Sequence, residues 1–323
     1  MKWKDFMPSV SVIVPTYNTL SYLPEAIGSI LNQTFEDFEI LLVNDGSTDQ
    51  TEEWVKRLTD SRIHYIYQKN QGLSAARNTG IRLAQGKYIA LLDADDRWAP
   101  TKLAKQVAYL NVHPEMGMVH TWVSFIDGQG TSTGRIWKTQ AEGWVLPQLL
   151  HRNDVAVLSV LVRRECFETI GEFDTQLRSL EDWEMWLRLA ASYPIGILQE
   201  SLAEYRQLPG SMSRNCEVME ASFKQVIEKH FALAPANLQS MRDRSYGAAY
   251  QCLAWKAIQV TRPNLALAGS YYRLALRHDV GIFLTLDGLK LLLSIQVRRL
   301  LTPARYDQLL TRVYAIRRWM LAW

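Results

Sequence analysis

Apolar residues in the first hundred positions fall into short unbroken runs, separated by stretches of helical spacing. Val10-Ser11-Val12-Ile13-Val14, Phe38-Glu39-Ile40-Leu41-Leu42-Val43, Ile63-His64-Tyr65-Ile66-Tyr67 and Tyr88-Ile89-Ala90-Leu91-Leu92 are rich in β-branched and apolar side chains. That is the pattern of strands covered on both faces. Between them Leu23, Ala26, Ile27, Ile30 and Leu31 recur at helical spacing, Trp54, Val55 and Leu58 do so behind a cap at Ser47 or Thr48, and a third helix runs to Leu83. Strand and helix alternating at this interval predict an α/β fold with a parallel sheet and right-handed crossovers.

The pattern then becomes irregular. A helix carrying Leu103, Val107 and Leu110 follows Pro100, with Asp96 as its cap. Met116 to Ile126 reads as a long strand, Asp127 to Gly130 as a turn, and Val155 to Arg164 as another strand. A helix from Glu165 to Ile170 stops at Gly171, and an amphipathic helix opens at Leu180-Glu181-Asp182-Trp183. Ile195 to Leu198 and Ser201 to Tyr205 look extended, and Arg206 to Arg214 is a flexible loop. From Glu217 onward strand signals vanish: Val218 to Phe231, a segment through Tyr246, Tyr250, Leu253 and Ile258, and Leu265 to Arg277 all follow helical spacing.

The chemistry gathers where the strands end. In a parallel sheet, ligands collect outside the carboxyl ends of the strands. Four segments meet that condition: Pro15 to Asn18, Asn44 to Asp49, Asn70 to Asn78, and Asp93 to Asp96. Adjacent carboxylates such as Asp93 and Asp95 repel unless a cation or strong donors sit between them. Their spacing suits Mg2+ or Mn2+ completed by substrate phosphates, against the plainer reading of solvated acids. Acids in the first turn of the helix at Glu181 likewise have a plain reading, as complements to the helix dipole.

Composition narrows the classes. A net charge of +3 over 323 residues gives no polybasic signature for nucleic acid. Cys166, Cys216 and Cys252 form no C-x-x-C pair, which predicts neither a disulfide framework nor a zinc site and suits a reducing compartment. The N-terminus lacks the apolar core of a signal peptide. Charge is uneven, however: from Val280 to the end the balance is +5, leaving −2 for everything before. Gly281 to Leu301 is apolar but contains Asp287, Lys290, Arg298 and Arg299, so it does not read as a spanning helix. Residues 280–323 read instead as a basic amphipathic surface for an anionic membrane, the alternative being a helical lid or a contact with a second subunit.

The ordered set V-S-V-I-V-P-T-Y-N, V-N-D-G-S-T-D, N-Q-G-L-S-A-A-R-N, L-L-D-A-D-D, E-D-W-E-M-W-L-R-L and Y-R-Q-L-P-G-S-M-S, spanning about Val10 to Arg214, closely resembles glycosyltransferase family 2. The resemblance implies a GT-A-type, Rossmann-like mixed and mostly parallel sheet sandwiched by helices, followed by an all-helical C-terminal extension. The catalytic domain would cover residues 1–215, with a nucleotide-sugar half to about 127 and an acceptor half from 128. The extension would cover 216–323.

It further implies a nucleotide pocket of Pro15, Thr16, Tyr17, Asp45, Arg77 and Asp93, and a metal site at Asp95 with Asp93. Asp182 would be the catalytic base, Glu181 and Trp183 would lie on the acceptor side, and Arg206 and Ser211 would touch the diphosphate, because the His common in that loop is missing. The expected reaction moves one sugar, with inversion, from a nucleoside-diphosphate sugar (a UDP-sugar is favoured) to a glycan or lipid-linked acceptor. Expected surroundings are the cytoplasm or the inner face of the cell membrane, with Mn2+ or Mg2+ as cofactor. A non-catalytic sugar-nucleotide sensor or scaffold subunit is the alternative. No Q-x-x-R-W motif is present, which disfavours a processive synthase.

Overall fold

The structure is a computed structural model and describes residues 7–208, 211, 215–259, 263–301 and 305. The chain divides into two compact units, Met1–Leu208 and Pro209–Trp323.

In the first unit, β1 (Val10–Thr16), β2 (Phe38–Asp45), β3 (Ile63–Gln68) and β4 (Tyr88–Leu91) are parallel to one another. α1 (Leu23–Leu31), α2 (Thr51–Val55) and α3 (Leu73–Leu83) connect them. β1 and β2 are buried along their whole length, which explains their unbroken apolar runs. α3 lies so close to the sheet that a Cβ at Gly80 would collide with the side chain of Ile13.

Past β4 the sheet turns mixed. The two-residue β5 (Arg97–Trp98) precedes α4 (Lys102–Val112), β6 (Met118–Ile126) and β7 (Ser132–Trp137). α5 (Leu146–His151), β8 (Leu161–Arg163), α6 (Arg164–Ile170), α7 (Glu181–Ser192) and β9 (Ile195–Arg206) complete the unit. The strand order is β3-β2-β1-β4-β8-β6-β9-β5, with β7 pairing on β6. β8 runs antiparallel to β4 and β6, whereas β6 and β9 are parallel. The fold is thus a sheet that is parallel over β1 to β4, flanked by helices and extended by mixed strands.

Several local expectations need correction. The run from Val155 is a 3-10 turn at Val157–Ser159 followed by the three-residue β8, because Ser159 turns back to bond the carbonyl of Ala156. The two extended pieces at 195–205 are one strand, β9, with a register shift between Leu198 and Ser201. Neither Ser47 nor Thr48 caps α2, which begins at Thr51 with Gln50 before it. Asp96 does not cap α4, which starts at Lys102 behind Thr101.

The second unit contains α8 (Cys216–Phe231), α9 (Arg242–Ile258), α10 (Leu265–His278) and α11 (Leu286–Leu300). Asn215, Asn264 and Thr285 cap α8, α10 and α11 through their side chains. Phe223, Tyr246, Tyr250, Tyr271 and His278 form a chain of ring contacts between α8, α9 and α10. Among the described residues no helix is long and apolar enough to cross a membrane. Pro209, Gly210, Met212, Ser213 and Arg214 of the expected flexible loop, and Arg312, Arg317, Arg318, Trp319 and Trp323 of the expected basic surface, lie outside the described residues.

Candidate active site

Parallel β1 to β4 bring their carboxyl ends to one edge, and the loops there are knitted together by side chains rather than by sheet bonds. Pro15 and Thr16 end β1 and are buried, while the ring of Tyr17 is 49% exposed. Asn18 sits at φ +51°, a left-handed conformation that Asn tolerates. Its Oδ1 accepts from Thr48 N at 2.8 Å and Asp49 N at 3.3 Å, and its own N–H donates to Ser47 Oγ at 3.0 Å. Ser47 and Thr48 therefore bind the first loop to the second, and Asp49 takes over the helix, accepting from the N–H and hydroxyl of Thr51.

Asp45 performs the next stitch. Its carboxylate, at the end of β2, accepts from Gln68 Nε2 at 2.7 Å, Gln71 N at 2.9 Å and Gly72 N at 2.8 Å. Gly46, at φ +75°, lets the backbone of Asn70 approach, since a Cβ there would stand 2.8 Å from Asn70 N. The loop after β3 is thereby held against the loop after β2.

The decisive contact involves Arg77 on α3. Its guanidinium is 1% exposed and pairs with Asp93 Oδ1 at 2.7 Å and with Glu181 Oε1 at 2.6 Å. One buried cation thus joins the end of β4 to the start of α7, where Glu181 lies 104 residues from Arg77. The neighbouring Asn78 clamps Phe173 by accepting from its N–H and donating to its carbonyl. That fixes the segment leading to α7. Leu180, immediately before the helix, takes φ +61°, an unfavourable left-handed conformation for a leucine.

Asp93, Asp95 and Asp182 are half-buried. Burial, with Asp93 alongside, lifts the Asp95 carboxyl to about 6. Burial, with Glu181 next to it, lifts Asp182 to about 7 against the opposing pull of Arg77. Asp182 is therefore far more basic than an ordinary carboxylate near neutral pH.

Asp96 is buried at 2% exposure, accepts from Arg206 N at 2.8 Å, and is pushed well above its usual range by burial and by Asp95 and Asp93. Arg206, also 1% exposed, donates to the carbonyl of Asp95 at 2.7 Å and to Glu25 at 2.8 Å, and lies over the ring of Tyr22. Its guanidinium is enclosed within the scaffold beneath the Asp95 turn rather than open to a diphosphate. Trp183 is likewise buried, its indole N–H bonded to Leu149 O at 2.7 Å. Ser211 belongs to the second unit, between residues outside the described set.

The family pattern described as Glycosyl transferase family 2 matches residues 11–166. A putative teichuronic acid biosynthesis glycosyltransferase of Bacillus subtilis, TuaG, is 32% identical over 218 residues, covering 66% of this chain and 83% of that protein. The chain belongs to glycosyltransferase family 2.

Family members differ in length. An uncharacterised glycosyltransferase of Rickettsia bellii is 34% identical over 198 residues, which are 61% of this chain but 28% of that protein. The match spans about a third of the length of three Rickettsia relatives and 60% and 63% of two others. Among solved structures, the mannosyltransferase PcManGT from Pyrobaculum calidifontis, in complex with GDP-Man and Mn2+, superposes with a TM-score of 0.59 at 20% identity. That superposition covers 93% of this chain and 83% of the other, and establishes the GT-A fold.

Set in that family, the structure brings Asp93, Arg77, Glu181 and Asp182 into one connected cluster, with Asp95 two residues along the β4 turn. Tyr17 follows β1 and Asp45 ends β2, at the same edge of the sheet. Among the described residues no three His, Cys, Asp or Glu side chains converge on a point suited to a metal. The carboxylates that the sequence offers for a metal are the two of the β4 turn, Asp93 and Asp95. Two oxygen ligands leave several positions open to water and to substrate phosphates, which suits Mg2+ or Mn2+. Burial first and the Asp93 charge second raise Asp95, and a divalent cation would offset both.

Proposed function

We propose that this chain is an inverting glycosyltransferase, moving one sugar from a nucleoside-diphosphate sugar to a hydroxyl of a glycan or lipid-linked acceptor at the inner face of a membrane. The observation that carries the proposal is the Arg77 bridge, which ties the Asp93 to Asp96 turn to the Glu181-Asp182 pair.

The nucleoside would lie over the edge formed by Pro15, Thr16 and Tyr17, with the aromatic face of Tyr17 free to stack. Asp45 keeps the loop at Gln71 and Gly72 in place beneath it. Asp93 and Asp95 would hold Mg2+ or Mn2+, which when bound offsets the charge on the departing diphosphate. Arg77, already engaged by two carboxylates, acts by holding Asp93 and Glu181 in position.

Asp182 takes the proton of the acceptor hydroxyl as that oxygen attacks the anomeric carbon from the face opposite the leaving group. Its basicity fits a general base, because a carboxyl raised to about 7 is largely ionised just above neutrality and still attracts a proton. Glu181 contributes by raising it, and Trp183 by anchoring the first turn of α7 to Leu149. Arg206 serves as a scaffold for the Asp95 turn.

The test is release of nucleoside diphosphate from a panel of nucleotide sugars, with and without Mn2+ and with a chelator. Turnover that requires the metal, and donor binding weakened by Asp95→Ala, are the expected results. Saturable donor binding with no release against any acceptor would point instead to a sensor or scaffold subunit.

A further inference from the structure

The second unit carries a surface that the cleft does not use. α11 has two apolar sides. Gly288, Leu291 and Ile295 are buried on one. Leu286, Leu289, Leu293 and Leu300 fall within about 60° of arc on the other, at 100° per residue. Those four are 76%, 37%, 62% and 84% exposed. Just before the helix, Val280, Phe283 and Leu284 are 77%, 45% and 82% exposed. Large apolar side chains crowded into one segment in this way mark a contact surface rather than scatter.

Cations border the stripe. Lys290 and Arg299 lie to either side of it on the helix and are exposed, as is Arg273 of α10. Among the described residues none of the three has a hydrogen bond or ion pair. Arg273 and Arg299 converge on one spot: a Cβ at Gly269 would stand 2.8 Å from Arg299 Nη2 and 3.7 Å from Arg273 Nη1. The three acidic residues between Arg242 and Leu301 are engaged elsewhere, Asp287 by Gln251 and Trp255, Asp279 by Gly281 N, and Asp243 by His278. Two guanidinium groups held together without a counter-charge call for an external anion. Beyond Leu301 the sequence adds Arg305, Arg312, Arg317 and Arg318 against Asp307 alone.

We propose that the outer face of α11 and the turn before it dock on an anionic lipid bilayer. The leucines enter the acyl boundary, and the Arg273 and Arg299 pair takes a headgroup phosphate. A second copy of the chain fits the surface less well, because an isologous contact would set the same cations against one another. Free phosphate would leave the leucines uncovered. The proposal deepens, and takes its purpose from, the reading of a transferase acting at a membrane face, but vesicle binding is measured without any turnover.

The experiment is co-sedimentation of the full chain with vesicles of phosphatidylcholine alone or containing phosphatidylglycerol, at low and high salt. Binding to the anionic vesicles that falls with salt is expected. Leu293→Asp, and separately the pair Arg273→Gln and Arg299→Gln, should each weaken it by about tenfold or more, at unchanged melting temperature. Unchanged partition in both variants, or equal binding to the two vesicle types, would overturn the proposal. So would light scattering that shows a dimer split by Leu293→Asp while vesicle binding persists. Transfer to a water-soluble acceptor should stay within about twofold in both variants, so loss of docking is separable from loss of catalysis.

Discussion

Arg77 and Arg206 are both 1% exposed, yet they do opposite things. Arg77 is surrounded by charge: two carboxylates from distant segments grip it, and both sit next to the residues proposed for chemistry. The Arg206 guanidinium is surrounded mainly by backbone, through the carbonyls of Asp95, Asp127 and Gly128, and among the described residues its ion-pair partner is Glu25 at 45% exposure. A buried cation tied to carbonyls fixes the shape of the chain. One tied to carboxylates also fixes where charge lies, and so governs the basicity of its neighbours.

The largest effect expected at the charged centre is on turnover. Asp182→Asn should lower kcat by about a thousandfold or more while nucleotide affinity, read by calorimetry, stays within about twofold. In the unaltered protein kcat should fall about tenfold per pH unit below about 7, because protonation removes the base. Full activity in the Asn variant would remove the assignment of Asp182.

Stability separates the two arginines next. Arg77→Met leaves a buried carboxylate without its cation and should cost about 3–5 kcal/mol in denaturant unfolding. Adding Glu181→Gln should recover more than about 1 kcal/mol of that loss, a coupling that a double-mutant cycle reads directly. Arg206→Met should cost about 1–3 kcal/mol through lost hydrogen bonds, with no recovery from Glu25→Gln. Equal recovery in both pairs would erase the distinction.

The smallest effect concerns pH. A carboxyl whose folded pKa is raised binds a proton that the unfolded chain lacks, so stability falls as pH rises from about 4 toward 7. Asp182→Asn removes that penalty and should stabilise the chelator-treated protein by about 1–2 kcal/mol at pH 8, the gain fading by about pH 4. Melting curves across that range check it.

The sequence made β1, β2 and β4 plain because strands buried on both faces leave continuous apolar runs, whereas β3, at the end of the strand order, has a similar run but is only half-buried. β7 left no such trace: Ser132 to Ile136 are exposed, so nothing selects apolar alternation there. β5 is two residues long and owes its existence to pairing with Ala203 and Glu204. The motif residues were recognisable by type and order, but their partners were not. No local pattern links Arg77 to Glu181, and the aspartate that reads as a cap, Asp96, is claimed instead by the backbone of Arg206, 110 residues away. Tertiary contacts decide such pairings, and propensity is blind to them.

The tie between Asn18 and the Ser47 to Asp49 loop has a thermodynamic consequence. If a nucleotide binds at that edge as proposed, it would meet backbone atoms already fixed, so little chain entropy would be lost on arrival. Association should therefore be fast and accompanied by a small heat-capacity change. Asn18→Ala would turn the same event into one that must first freeze two loops.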